Sequence, residues 1–288
     1  MKFSEAFSFL TILRESTKIL SKNRKFSSTI LLLSLILPSI LLLSLISFYR
    51  SLLDGSDLYL FFVVEIVFLL VFVAVSHVLG IATVLVSSAS YTDRDLSWEQ
   101  LFTDVKRTWK MPIFASFRFS SHSTRYLTFV LVVVFLAAAS PVNVFTVFCA
   151  VVIGIGIIGF QLHESVVRVL VYVVSVLEEG FPGEAVERAG NLVKGHQWKG
   201  FAINVLLNLI FVVVFGSVLV VEYIGYGMGY TACGLWFVNL FSTFKMIVFM
   251  VYTVFYFQCK KECGEDVNLY GNVEYTRLSS AIVGNDIP

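Results

Sequence analysis

Three ionisable side chains, Glu65, His77 and Lys245, lie inside long apolar stretches of a 288-residue chain. A charge in hydrocarbon is costly and persists where it is paired or used, so these are the first positions to examine for chemistry. Counted from the outer ends of their stretches, Glu65 and Lys245 fall at depths only a few Å apart, which makes them a candidate intramembrane ion pair, the other reading being a coincidence of depth without contact. Such a pair has two readings: a lock between helices, or a gated ion or proton site. His77 stands about 120° round the helix from Glu65, so one ligand cannot take both. It reads as a hydrogen-bonded core histidine. Asn204 and Asn208, one turn apart, and Asn239 read as interhelical polar contacts in preference to a permeation path.

Other chemistry is absent from the pattern. The chain has no HExxH, Gly-x-Ser-x-Gly, P-loop or CxxC arrangement, and its four histidines (77, 122, 163 and 196) are dispersed. The expectation is a non-enzymatic protein with no catalytic residues, no metal and no cofactor. Gly154-x-Gly156-x-x-Gly159 matches a dinucleotide fingerprint, but no strand precedes it and no acid follows, so it reads as close helix packing. Of the four cysteines, Cys259 and Cys263 fall just beyond the last apolar stretch, where juxtamembrane palmitoylation occurs. Tyr270-Gly-Asn-Val273 and Tyr275-Thr-Arg-Leu278 have the tyrosine-x-x-bulky-apolar form that sorting adaptors bind as extended peptides.

The elements that must position these groups follow from composition. Hydrophobic residues make up 57% of the chain and charged ones 14%, and the mean hydropathy is +0.84. Soluble domains sit near 45–50% and 25%, so a water-soluble globule is excluded. The net charge of +1 points to no nucleic-acid partner. Six stretches can each supply the roughly 20 helical residues that cross a hydrocarbon core. They lie near 27–48, 58–90, 121–139, 142–161, 201–221 and 235–258, with Ser140-Pro141 splitting the third from the fourth. All Lys and Arg except Arg50 and Lys245 fall on one side of this topology. The positive-inside rule then places both termini in the cytoplasm. The second and fourth stretches, Leu58–Ser90 and Val142–Leu177, exceed what a bilayer needs, so their inner ends are expected to project beyond it.

Each pair of spans is preceded by a segment with helical amphipathic spacing. In the first, Arg14, Lys18 and Lys22 share a wedge opposite Ile12, Leu13 and Ile19; in the second, Trp98, Leu101, Phe102, Val105 and Trp109 share a face, after a Ser97/Gln100 capping box. In the third, Val186, Ala189, Leu192 and Val193 oppose Glu184, Glu187 and Arg188 after Pro182. The predicted fold is all-α and polytopic. It comprises six transmembrane helices in three hairpin units, each led by a cytoplasmic interfacial helix, in one membrane domain over 1–263 with a disordered cytoplasmic tail over 264–288.

Two stretches carry a resemblance. The run Glu184 to Phe201, with Ala185, Gly190, Leu192, Lys194-Gly195, Trp198 and Phe201, resembles the membrane domain of bacterial glycerophosphodiester phosphodiesterases. The opening Ile12 to Leu20, Pro38 and the run Tyr256-Phe257-Gln258-Cys259-Lys260 more closely resemble a plant-expanded family of uncharacterised six-span proteins. These resemblances imply the fold and bring no catalytic residues, since the bacterial chemistry resides in a separate soluble barrel. The sequence therefore leads to a multi-pass protein of the plasma membrane or a secretory-pathway endomembrane. Its expected partners are membrane lipids and a cytoplasmic protein or sorting adaptor, met through the amphipathic helices. The competing expectation is a transporter or channel using Glu65 and Lys245.

Overall fold

The computed structural model describes residues 8–22, 24–52, 58–116, 144–178, 181–223 and 230–265. These residues are almost wholly helical, with no strand among them. The helices are α1 (Ser8–Lys22), α2 (Arg24–Leu52), α3 (Leu58–Tyr91), α4 (Trp98–Thr108), α5 (110–116), α6 (Val144–Leu177), α7 (Pro182–Lys194), α8 (Gln197–Tyr223) and α9 (Tyr230–Glu262). Helix is the form that lets an apolar run satisfy every backbone group internally, which a lipid solvent requires. Five helices are long and apolar enough to cross a membrane: Arg24–Arg50, Phe62–Tyr91, Gly159–Leu177, Gln197–Val220 and Thr231–Glu262. The expected span at 121–139 and the turn after it lie outside the described residues, as do positions 266–288 of the tail.

Helices α2 and α8 begin, and α3, α6 and α9 end, at the same end of the bundle, which gathers Lys22, Arg24, Asp93, Arg188, Lys199 and Lys260. We call this the basic end. Helix α9 is central, packing on α1, α2, α3, α6, α7 and α8. Away from the basic end the long helices show Leu, Val, Ile and Phe outward, as Leu69, Leu70, Leu209 and Val212 do. Near it they are buried on all sides: residues 80–90 of α3, 170–177 of α6 and 249–257 of α9 form one core. Helices α3 and α6 have 34 residues each and α9 has 33, about 50 Å apiece and longer than the roughly 30 Å of a hydrocarbon core.

Two glycines allow this core to close. A Cβ on Gly80 would lie 2.8 Å from the Phe249 ring and from the Tyr172 hydroxyl, and one on Gly200 would lie 2.8 Å from Val166. The glycines of the fingerprint-like run behave differently. Among the described residues a Cβ on Gly156 or Gly159 would meet nothing within 4 Å, so no close packing is made by these two there. Hydroxyls buried among apolar side chains turn back on their own helix. Ser16 donates to the Ile12 carbonyl (2.8 Å), Thr83 to Leu79 (2.7 Å) and Thr253 to Phe249 (2.7 Å).

Candidate functional site

At the basic end, short helices and helix tips meet around Glu178, the residue that follows α6. The Tyr256 hydroxyl of α9 donates to Glu178 Oε1, Arg188 Nε of α7 lies 2.8 Å from its Oε2, and Lys260 Nζ of α9 lies 3.4 Å from its Oε1. Arg188 also binds Glu265, which lies 3.9 Å from Lys260. Glu265 is brought there by the end of α9. Gly264, at φ +75°, gives its N–H to the Lys261 carbonyl while Glu265 gives its own to Lys260, the two bonds of a Schellman motif. Burial opposes the Arg188 charge, but the carboxylates of Glu178 and Glu265 outweigh it and hold its pKa above the usual value. A second cluster ties α8 to α9: Lys199 Nζ and His196 Nε2 stand 2.8 and 2.7 Å from the Glu262 carboxylate. The amide of Gln258 donates to Glu15 (2.8 Å), fastening α1 to α9. These pairs fix the short helices on the ends of the long ones.

One surface of this layer is apolar and basic together. The Ser97/Gln100 capping box is formed, with both bonds at 3.2 Å, and it starts α4 at Trp98. From there Leu101, Thr108 and Ala115 turn into the core, and Leu101 is only 4% exposed. Phe102 is 71% exposed, so the face expected to hold Leu101 and Phe102 together is divided, because adjacent helical residues point about 100° apart. Phe102, Trp98, Trp109 and Phe114 look outward beside Lys106, Arg107 and Lys110. The rings of Trp98 and Phe26 meet at 4.4 Å between centroids, tilted by 38°, which sets α4 against the start of α2. Helix α7 buries Ala185, Ala189, Leu192 and Val193, near the face expected of it.

The candidate ion pair is not made. Lys245 Nζ instead donates to Ser76 Oγ (2.6 Å) and the Ser76 carbonyl (3.3 Å), and it lies over the Phe249 ring. Glu65 stands eleven residues before Ser76 on the same helix, about 16 Å away along the axis, exposed on the outer half of α3. The depth count misplaced Lys245 because α9 begins at Tyr230, five residues before the apolar stretch was drawn. His77 has partners on two other helices. Its Nε2 is 3.2 Å from the Trp109 carbonyl, its Nδ1 is 3.4 Å from the Tyr172 hydroxyl, and that hydroxyl donates to the His77 carbonyl at 3.0 Å.

Asn204 donates to the Leu162 carbonyl (2.6 Å), a contact between α8 and α6, while Asn208 donates back to Asn204. Ser39 donates to Asn239 (3.0 Å) between α2 and α9. Cys259 is fully buried in the core and Cys263 is exposed, so of the two cysteines expected to accept an acyl group only Cys263 presents its thiol to solvent. Tyr270, Val273, Tyr275 and Leu278 lie outside the described residues. Sequence reasoning did not find Ser76, Glu178 or Tyr256. The only signal for Glu178 was its place as the first charge after a long apolar run.

The arrangement defines an all-α protein of the kind that crosses a membrane several times, with a packed helical layer at one end. Within that class, the chain belongs to the family described as Domain of unknown function (DUF8558), whose model matches residues 51–270. No curated protein and no solved structure matches it.

Proposed function

We propose that this is a non-enzymatic multi-pass membrane protein whose basic end faces the cytoplasm and whose helical layer there seats on lipid headgroups and presents a platform to a protein partner. The observation that carries the reading is the outward row Trp98, Phe102, Trp109 and Phe114 flanked by Lys106, Arg107 and Lys110. Exposed aromatics beside lysine and arginine match an anionic membrane surface, where rings enter the headgroup region and cations meet phosphate. On this reading α1, α4 and α7 are interfacial amphipathic helices leading three hairpins, and both termini are cytoplasmic. Phe181 and Trp198 continue the exposed aromatic row on the α7 and α8 side.

The experiment uses the chain's own fluorescence. It has four tryptophans, so Trp198→Phe with Trp236→Phe leaves Trp98 and Trp109 as reporters. In vesicles containing anionic lipid, lipids brominated near the headgroup should quench these two, and Phe102→Ser with Phe114→Ser should weaken the quenching without lowering the melting temperature. Quenching by aqueous iodide alone, indifferent to the Phe substitutions, would exclude the reading.

A further inference from the structure

The crevice between α2 and α9 carries two features that meet end to end. One is a cavity of about 20 Å³ lined by Ser34, Pro38, Ser76, Ser242 and Lys245 among others. The other is an open groove of about 580 Å³, continuing away from the basic end and lined by Leu35, Ile40, Leu43, Ala232, Leu235 and Trp236 with Ser39 and Asn239 at its floor. They share helix faces. Ser34 and Pro38 neighbour Leu35 and Ser39 on α2, and Ser242 lies one turn beyond Asn239 on α9.

The cavity is rich in donors. The ammonium of Lys245 gives two contacts to the neutral Ser76, and no ion pair to a carboxylate is made by it among the described residues. The hydroxyls of Ser34 and Thr83 are committed to the carbonyls of Leu31 and Leu79. Three donors remain: the third ammonium N–H, the Ser76 hydroxyl hydrogen and the Ser242 hydroxyl. Against them stands the Ser34 carbonyl, whose helical donor is missing at Pro38. A partly buried cation with spare hydroxyl donors matches an anion. Size narrows the class. About 20 Å³ holds little more than one oxygen-sized group, so one oxygen of a carboxylate can enter it and a tetrahedral phosphate cannot. From Ser242 to Ala232 the groove climbs about 15 Å, a length that takes the greater part of a fatty-acyl tail.

We propose that this crevice binds a long-chain fatty acid, its carboxylate on Lys245, Ser76 and Ser242 and its tail in the α2–α9 groove. The site uses none of the exposed α4 side chains and does not depend on the function proposed above. The test is equilibrium binding of radiolabelled oleate to the full chain in delipidated nanodiscs of neutral phosphatidylcholine, with methyl oleate, acetate and lysophosphatidate as competitors. Oleate should bind saturably, and methyl oleate should compete about tenfold or more weakly, since it loses a charge-assisted hydrogen bond. Acetate should not compete. Lys245→Met should abolish saturable binding, and Ala232→Phe, which fills the groove and leaves the ammonium untouched, should do the same. Ser242→Ala, which is small enough to keep the fold should Lys245→Met not fold, should weaken oleate several-fold and leave methyl oleate unchanged. The proposal is overturned by absent saturable binding, by methyl oleate competing as well as oleate, by lysophosphatidate competing better, or by parental affinity in Ser242→Ala or Ala232→Phe.

Discussion

Glu178→Gln tests whether the basic-end layer is held by the carboxylate that α7 and α9 share. The side chain of Glu178 is 20% exposed and that of Lys260 11%, so these two groups meet where water screens them little. Arg188 is 43% exposed, and its contribution is discounted accordingly. A hydrogen bond from the Tyr256 hydroxyl to a charged acceptor contributes about 1.5–3 kcal/mol. The two cations, each with Glu265 as a second partner, add roughly 0.2–1 kcal/mol apiece. Glutamine keeps one acceptor oxygen and retains part of the first contribution, so the expected loss is about 2 kcal/mol. On the scale of a 150–250-residue protein that lowers the melting temperature in detergent by roughly 4–8 °C. Glu178→Ala should cost about 1–3 kcal/mol more, because it strands the Tyr256 hydroxyl in the core. Tyr256→Phe should cost about 1.5–3 kcal/mol, close to Glu178→Gln and less than Glu178→Ala, since Glu178 keeps both cations. An unchanged melting temperature in Glu178→Gln, or a larger loss in Tyr256→Phe than in Glu178→Ala, would refute the assignment of Glu178 as the hub.

The separation of Glu65 from Lys245 predicts that a double-mutant cycle of Glu65→Gln and Lys245→Met in detergent melting gives a coupling energy below about 0.5 kcal/mol; a larger rescue in the double variant would mean the charges meet. Because Cys259 is buried and Cys263 exposed, a polar maleimide should modify Cys263 in the folded protein and reach Cys259 only after denaturation; equal labelling of both before denaturation would show that the α9 tip is not packed.

Hydropathy made the long helices legible, since 20 or so apolar residues in sequence leave helix as the only open form for a spanning segment. The surplus length of Leu58–Ser90 and of the stretch ending at Leu177 foretold the 34-residue helices α3 and α6, and the capping box at Ser97 showed where α4 begins. Helix pairing was less accessible. Whether Lys245 meets Glu65 or Ser76 depends on the axial register of α9 against α3, and an apolar run carries no register mark of its own. An error of five residues at Tyr230 moves a side chain about 7 Å, more than one helical turn. The division of Leu101 from Phe102 has a related cause. An aromatic beside a core leucine is apolar in either position, and only the packed neighbours decide which one is covered. Glu178 escaped notice because Tyr256, Arg188 and Lys260 lie far from it in sequence.

The burial pattern places the stabilising contacts unevenly, and this bears on function. Along the outer lengths of α3 and α8 apolar side chains face outward, where lipid solvates them about as well as protein does and little packing energy is gained. At the basic end the same helices enter a core closed by Gly80 and Gly200 and bounded by the Glu178 and Glu262 clusters. There they bury Tyr252, Phe255 and Phe257 among other apolar side chains, so the density of packed contacts is highest at this end. The spans can then loosen while the layer stays folded, because local opening follows the density of buried contacts. Lys245, Ser76 and His77 stand at the junction of the two regimes, and His77 reaches the Trp109 carbonyl at the end of α4. A ligand drawn to Lys245 would therefore act on α3 next to the residue that holds the end of α4. Movement at the crevice is expected to register in the fluorescence of Trp109, which makes oleate-dependent emission of a Trp109 reporter a direct measure of whether the two surfaces communicate.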